Sequence, residues 1–296
     1  MIDSDESTQI RVKLLHKYWT SGKKFHQNSS NFINNYKGQL VVIKYGGFSL
    51  KKKKLVTSFA KNISLLNQLG IKVIVVHGGG PQIEQELKKQ KIIDREYQGL
   101  RITTKAILKI VKKILGNDLN KMICSEINKY GGKAISFNGI SKKILKAKIS
   151  MSGKIGFVGT PTKLLRKDLL AQVNNNKVPI ISPIGFDDKG NSYNINADIA
   201  AGFIAESLKA KRLLLLTDVV GVLDNKKKLI AQLDKKKAFE YIRKGIIKDG
   251  MIPKVKTCFK TLNKGVRGVA MVDGRNENAI LMELLTEKGA GTLIKK

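Results

Sequence analysis

The 296-residue sequence predicts an α/β fold, a three-layer α/β/α sandwich around a mostly parallel central sheet. Three observations carry the prediction. From Gln39 onward, apolar runs rich in β-branched residues alternate with segments of helical periodicity. Those runs are apolar at nearly every position, as strands covered on both faces are. Several of them end directly in glycine-rich turns, and in open parallel sheets ligands bind at the carboxyl ends of the strands.

Taken in order, "IRVKLLHKYW" (10–19) has amphipathic helical character, "TSGKKFHQNSS" interrupts it, and "NFINNY" (31–36) allows a further turn or two of helix. "QLVVIKYG" (39–46) reads as a buried strand. The periodicity of residues 50–70 reads as a helix stopped by Gly70. "IKVIVV" (71–76) is the next strand, followed by a helix from Pro81, where proline suits the first turn. Helical patterning returns over 103–130 and stops at Gly131-Gly132. "KAISFNG" (133–139) is a strand, and residues 143–164 form a hairpin with a Ser-Gly turn. A helix is expected at 161–175, a strand at "VPIISPIG" (178–185) and a helix at "NADIAAGFIAESLKA" (196–210). "RLLLLTD" (212–218) and "GVAMVDG" (268–274) are strands, "ENAILMELLTEKG" (277–289) a helix, and "GTLI" (291–294) the last strand.

Composition bounds the function. No apolar run approaches the roughly 20 residues that span a bilayer. The N-terminus lacks a secretory h-region, and its early acidic residues argue against a transit peptide, so the cytoplasm is expected. Cys124 and Cys258 stand alone, without ligand-spaced partners, which argues for reduced thiols rather than a disulfide framework or structural zinc. The formal charge is +33, from 56 Lys and Arg against 23 Asp and Glu. Such a balance points to nucleic acid or anionic membranes when it is clustered. Here only eight of the cations are arginine, the lysines run along the whole chain, and no stacking motif accompanies them. Solvated lysine with anionic substrates is the reading; a basic nucleic-acid-binding protein is the alternative from another class.

The stretch "VIVVHGGGPQIEQEL" (73–87) poses the chemical question. Glycine permits close approach of a ligand to the backbone, and a helix N-terminus offers unpaired N–H groups with partial positive charge. "HGGGP" and "KYGGFS" therefore fit cradles for carboxylate or phosphate, yet neither matches a Walker loop or a dinucleotide fingerprint. Lys44 ends a buried strand beside one cradle, where an unpaired ammonium is expensive. Lys254 lies in "DGMIPKVKT", at a loop-to-helix start. Two such lysines facing an anion cradle suggest phosphoryl transfer, which depends on positioning and on charge stabilisation of equatorial oxygens.

The motifs "VVIKYGG", "VVHGGGPQI", "GLRIT", "NINADIAAGFIAESLKA", "LLLLTDVVGVLD", "GMIPKV" and "EKGAGTLI" occur in this order. Together they resemble the N-acetylglutamate kinases of the amino-acid kinase superfamily. The resemblance implies that superfamily's fold and the MgATP-dependent phosphorylation of the γ-carboxylate of N-acetyl-L-glutamate, the second step of arginine biosynthesis. It implies Lys44 and Lys254 as transition-state lysines and Asp198 as the aspartate that holds them. Gly78 and Gly79 match backbone donors to the amino-acid substrate, Arg101 a clamp on its α-carboxylate, and Asn194 a further substrate contact. Gly46 and Gly47 match the phosphate cradle; Asp218, Gly221, Leu223, Ile246 and Lys248 match the nucleotide-binding segments, with Mg2+ held by ATP oxygens and water.

The same resemblance implies an N-terminal extension (1–39) that links dimers into hexamers. An N-terminal lobe (40–205) would bind the amino acid and a C-terminal lobe (206–296) the nucleotide. Glu283 and Gly289 match an allosteric arginine pocket. Departures from the family pattern are Phe48 and Ser49 after the first glycine pair, Asn278 in place of histidine and Phe32 in place of tyrosine. Within the superfamily, aspartokinase, glutamate 5-kinase and carbamate kinase are the competing activities.

Overall fold

A computed structural model describes residues 29–248 and 251–295. The helix expected at 10–19 lies outside the described residues. The chain starts with α1 (Ser29–Tyr36), β1 (Leu40–Tyr45), α2 (Lys53–Gln68), β2 (Lys72–His77) and α3 (Gly80–Lys89). A small hairpin follows, β3 (Glu96–Tyr97) and β4 (Leu100–Arg101), then α4 (Lys105–Val111), a π-helical segment (Lys112–Leu119) and α5 (Asn120–Lys129). Next come β5 (Ala134–Phe137), β6 (Leu145–Ile149), β7 (Gly159–Leu164), α6 (Arg166–Asn174), β8 (Val178–Ile181), β9 (Ile184–Phe186) and β10 (Ser192–Asn194). The remainder is α7 (Ala197–Ser207), β11 (Arg212–Thr217), β12 (Gln232–Leu233), α8 (Lys235–Arg243), α9 (Met251–Asn263), β13 (Val269–Asp273), α10 (Ala279–Leu285) and β14 (Gly291–Ile294).

The expected mostly parallel sheet has eight strands in the order β12-β14-β13-β11-β1-β2-β8-β5. β14 runs antiparallel to β13, and β12 follows β14. Side chains alternate between the two faces of a strand, and the packing follows that alternation. Val41, Ile43, Val73, Val75, Leu214 and Leu216 belong to one core, with α1 to α5 and α10. Val42, Ile74, Val76, Leu213 and Leu215 belong to the other, with α6 to α9. These are the three layers read from the sequence.

The order β11-β1-β2 puts the change of winding direction at β1. The turns after β1, β2 and β11 therefore open on the same edge, at the carboxyl ends of the strands. A second sheet, β10-β9-β6-β7, packs beside this edge.

Three elements differ from expectation. The helix expected from residue 161 starts at Arg166, because "GTPTKL" continues the hairpin as β7. β7 is an edge strand, where Pro161 need not donate to a ladder. The helical stretch 103–130 widens into a π-segment around Gly116, where the Ile140 side chain fills the space a Cβ would need. π-segments of this kind are uncommon and gather at functional sites. The strand expected over 178–185 breaks at Ser182-Pro183 into β8, in the large sheet, and β9, in the small one.

Candidate active site

Lys44 is the fifth residue of β1 and pairs with Val76 of β2 and Leu215 of β11. Its position in the alternation points it to the face covered by α7 and α9. α7 begins at Asn196, whose side chain accepts the N–H groups of Asp198 and Ile199 and so caps the helix. That cap fixes Asp198 in the first turn, directly opposite Lys44. Lys44 Nζ lies 3.0 Å from Asp198 Oδ1, and Lys254 Nζ, arriving from the first turn of α9, lies 3.5 Å from Oδ2. Three groups separated by up to 210 positions in sequence thus share one point. Burial by itself would raise the Asp198 carboxyl, but the ammonium groups of Lys44 and Lys254 outweigh it and hold it below the ordinary carboxylate range.

The two glycine turns touch each other. A Cβ on Gly47 would lie 2.8 Å from Pro81 Cδ and 3.0 Å from Gly79 Cα and N, so a side chain there would force the turns apart. Gln82 Nε2 donates to Gly47 O at 3.0 Å and ties the two turns together. Gly78 departs from expectation as a donor: its N–H is bonded to Tyr45 O at 2.8 Å. Among the described residues, the N–H groups of Gly47, Gly79 and Gly80 have no such acceptor. They line, with Lys44 and Asp198, a cavity of about 210 Å3.

Arg101, Asn194, Leu100, Leu115 and Val158 complete the walls. Arg101 comes from β4 and forms a two-pronged pair with Asp94, Nε to Oδ1 and Nη2 to Oδ2, both at 2.8 Å. The fork expected to clamp a ligand is thus already oriented by a carboxylate, leaving Nη1 for a ligand in the cavity. Asn194 Nδ2 donates to Thr103 Oγ1 at 3.1 Å, and Thr103 Oγ1 donates to Arg101 O at 2.9 Å. Thr103 therefore couples the two walls.

A model of the amino acid kinase family matches residues 39–273. The chain belongs to that family. Within it, the chain belongs with the acetylglutamate kinases. It is 43% identical over 278 residues to the acetylglutamate kinase of Nitratidesulfovibrio vulgaris (strain DP4), covering 89% of both chains. It is 43% identical over 276 residues to that of Bradyrhizobium diazoefficiens, covering 89% of this chain and 94% of the relative. Among solved structures, N-acetylglutamate synthase from Neisseria gonorrhoeae, complexed with coenzyme A and N-acetyl-glutamate, superposes with a TM-score of 0.82. The identity is 23%, over 91% of this chain and 62% of that one, which establishes a shared fold.

Against this family frame, Lys44, Lys254, Asp198, Gly47, Gly78, Gly79, Arg101 and Asn194 come together. Gly46 sits behind the cavity, its Cβ position 3.1 Å from Leu216 O and 3.7 Å from Lys44 Nζ. Asp218, Gly221 and Leu223 follow β11, and Ile246 and Lys248 follow α8; none of them lines the cavity. Gly221 needs its glycine, because it has φ +138 and a Cβ would lie 2.6 Å from Leu229 Cδ1 and 2.7 Å from Thr292 Oγ1.

Glu283 and Gly289 form a separate place: Glu283 Oε2 accepts the Ala290 N–H at 2.8 Å, and its field reaches Tyr36 of α1. Of the departures, Ser49 is buried and donates to Gly274 O at 3.0 Å, whereas Phe48 stays 40% exposed. Sequence reasoning missed Asp94, Thr103 and Gly80. Only Gly80 left a local signal, as the third glycine before the helix proline.

Proposed function

We propose that the chain transfers the terminal phosphoryl group of ATP to the side-chain carboxylate of N-acetyl-L-glutamate, yielding the 5-acyl phosphate, the second step of arginine biosynthesis. One observation carries the reading: two lysines from distant elements share a half-buried aspartate at the edge of a glycine-lined cavity. A carboxylate oxygen of the substrate attacks the γ-phosphorus in line, and the bond to the ADP oxygen breaks. Charge spreads over the equatorial oxygens of the moving phosphoryl group. Lys44 faces it from the acid side, Lys254 from the nucleotide side, and the free N–H groups of Gly47, Gly79 and Gly80 complete the donor set. Asp198 keeps both ammonium groups in place before the anions enter.

Arg101 takes the α-carboxylate of the substrate through its remaining donors, and Asn194 contacts its backbone side. The nucleotide lies toward Gly46, Asp218, Gly221, Leu223, Ile246 and Lys248. Among the described residues no group of three or more His, Cys, Asp or Glu side chains is placed to hold a metal, which fits magnesium carried by ATP oxygens and water, where it adds charge neutralisation.

The reading extends to feedback by arginine at Glu283 and Gly289, to hexamers built from dimers through the N-terminal segment, and to a cytoplasmic location. No helix among the described residues is long and apolar enough to cross a membrane. A hydroxylamine trap tests the activity, because the acyl phosphate gives a coloured hydroxamate. Signal with N-acetylglutamate, and none with aspartate or free glutamate, is expected; equal signal with free glutamate would move the assignment to a glutamate kinase.

A further inference from the structure

His77, the last residue of β2, is fully buried and does not itself line the cavity, yet it is tied to the cradle. Its Nδ1 lies 3.0 Å from the carbonyl oxygen of Gly78. A carbonyl can only accept, so the ring hydrogen sits on Nδ1 and Nε2 is left as an acceptor. Around Nε2 stand Asn120 Nδ2 at 3.3 Å and Ser182 Oγ at 3.1 Å. The Ser182 hydroxyl donates to Leu115 O in the π-segment at 2.8 Å, so its oxygen is free to accept from Asn120 Nδ2 at 2.9 Å. The two amide hydrogens of Asn120 are shared among three acceptors, Ser182 Oγ, Ile180 O at 2.9 Å and His77 Nε2. On its far side the ring thus meets Asn120 of α5 and Ser182, the residue after β8, which leaves Nδ1–H pointing at Gly78.

The consequence lies in the next peptide. No peptide of the described chain is cis, and in a trans peptide the carbonyl and the following N–H point in opposite directions. Holding the Gly78 oxygen inward therefore sends the Gly79 N–H the other way, and Gly79 lines the cavity. Three successive glycines offer little resistance to rotation. A flip of the Gly78–Gly79 peptide would replace a donor with a carbonyl oxygen, which repels an anion.

We propose that His77 is a positioning residue: through the Gly78 carbonyl it aims the Gly79 N–H at the transferring phosphoryl group. This rests on the phosphotransfer reading above. It also explains why a fully buried polar side chain ends an otherwise apolar strand.

Two variants separate positioning from support. In His77→Asn the amide nitrogen occupies the place of Nδ1 and keeps the bond to Gly78; in His77→Gln the amide reaches the place of Nε2 and loses it. Both remove the ring, so a merely structural role lowers them alike. Expected is a kcat for His77→Asn within about fivefold of wild type, and for His77→Gln a loss of roughly 10–100-fold, with KM for ATP changed by less than about threefold and matching melting temperatures. Equal kcat values for the two variants overturn the proposal. A wild-type chain that makes no hydroxamate overturns the phosphotransfer reading instead. The Gly79 amide resonance then decides for His77, since it must shift on adding ADP with aluminium fluoride in wild type and His77→Asn but not in His77→Gln; identical responses sink the proposal.

Discussion

Lys44 is an ammonium group only 12% exposed at its side chain, which without a counter-charge would be costly. Asp198 supplies that charge and is in turn shared with Lys254, so each of the three holds the others. Lys254 is the more exposed of the lysines, at 31%, and removing it leaves the Lys44–Asp198 pair intact. Lys254→Ala is therefore expected to fold and to lower kcat by roughly 10²–10³-fold, the scale of one charge-stabilising donor. A loss below about threefold in the hydroxamate assay would contradict its role.

His77 gives a separate prediction. Burial holds its pKa at about 4 against an ordinary 6.5. Between those values the unfolded chain binds one more proton than the folded one, so stability is full above the ordinary value and falls as the pH drops toward the folded one, by roughly 3 kcal/mol in all. Asp198, also held low, loses its contribution only at still lower pH. Urea denaturation at pH 7 and pH 4.5 should show the loss in wild type and a smaller one in His77→Asn.

At the scale of elements, the site is made by turns that face each other. The turn after β1 and the turn after β2 approach so closely that Gly47 has no room for a methyl group against Pro81 and the backbone of Gly79. Gly47→Ala must separate them and displace the donors. The expected result is a loss of kcat of about 10²-fold or more with a melting temperature lowered by only a few degrees, read by the same assay and by circular dichroism; unchanged turnover would mean that the separation of the turns is immaterial.

This pairing was half legible. That "KYGG" and "HGGGP" end neighbouring strands follows from the chain alone, because strand, glycine and helix start stand in sequence. That they touch follows from the β1–β2 register, Tyr45 opposite His77. The hairpin and the helix ends were legible from turn residues such as Gly70. The start of α6 was not, because "GTPTKL" has the composition of either a strand or a helix start, and only the partner strand β6 decides between them.

For the whole molecule, the order β11-β1-β2 brings the C-terminal half beside the N-terminal one, so that α9 delivers Lys254 to a site otherwise built before residue 200. The same arrangement puts α1 against α10. Ile33 and Tyr36 are 2% and 6% exposed, and Arg212 Nε donates to Tyr36 Oη at 3.0 Å beside Glu283. A link between the N-terminal segment and the Glu283 region is therefore physical in this chain. Because α1 belongs to the core, the oligomer is best tested with a chain that starts at residue 29. Light scattering should show a hexamer for the full chain and a dimer for the shortened one; an unchanged mass rejects a ring-forming role for residues 1–28.

By itself the sequence determined the layers, the strand edge on which chemistry occurs and the kind of ligand, because periodicity, glycine placement and buried charge are local properties that do not depend on distant partners. Family motifs supplied the residue roles. Only the tertiary structure decided that Gly78 has already given away its N–H, that Asp94 orients Arg101 and that Thr103 joins two walls. Each of these is a hydrogen bond between groups whose separation in space is set by sheet register and helix packing, which no short window of sequence records.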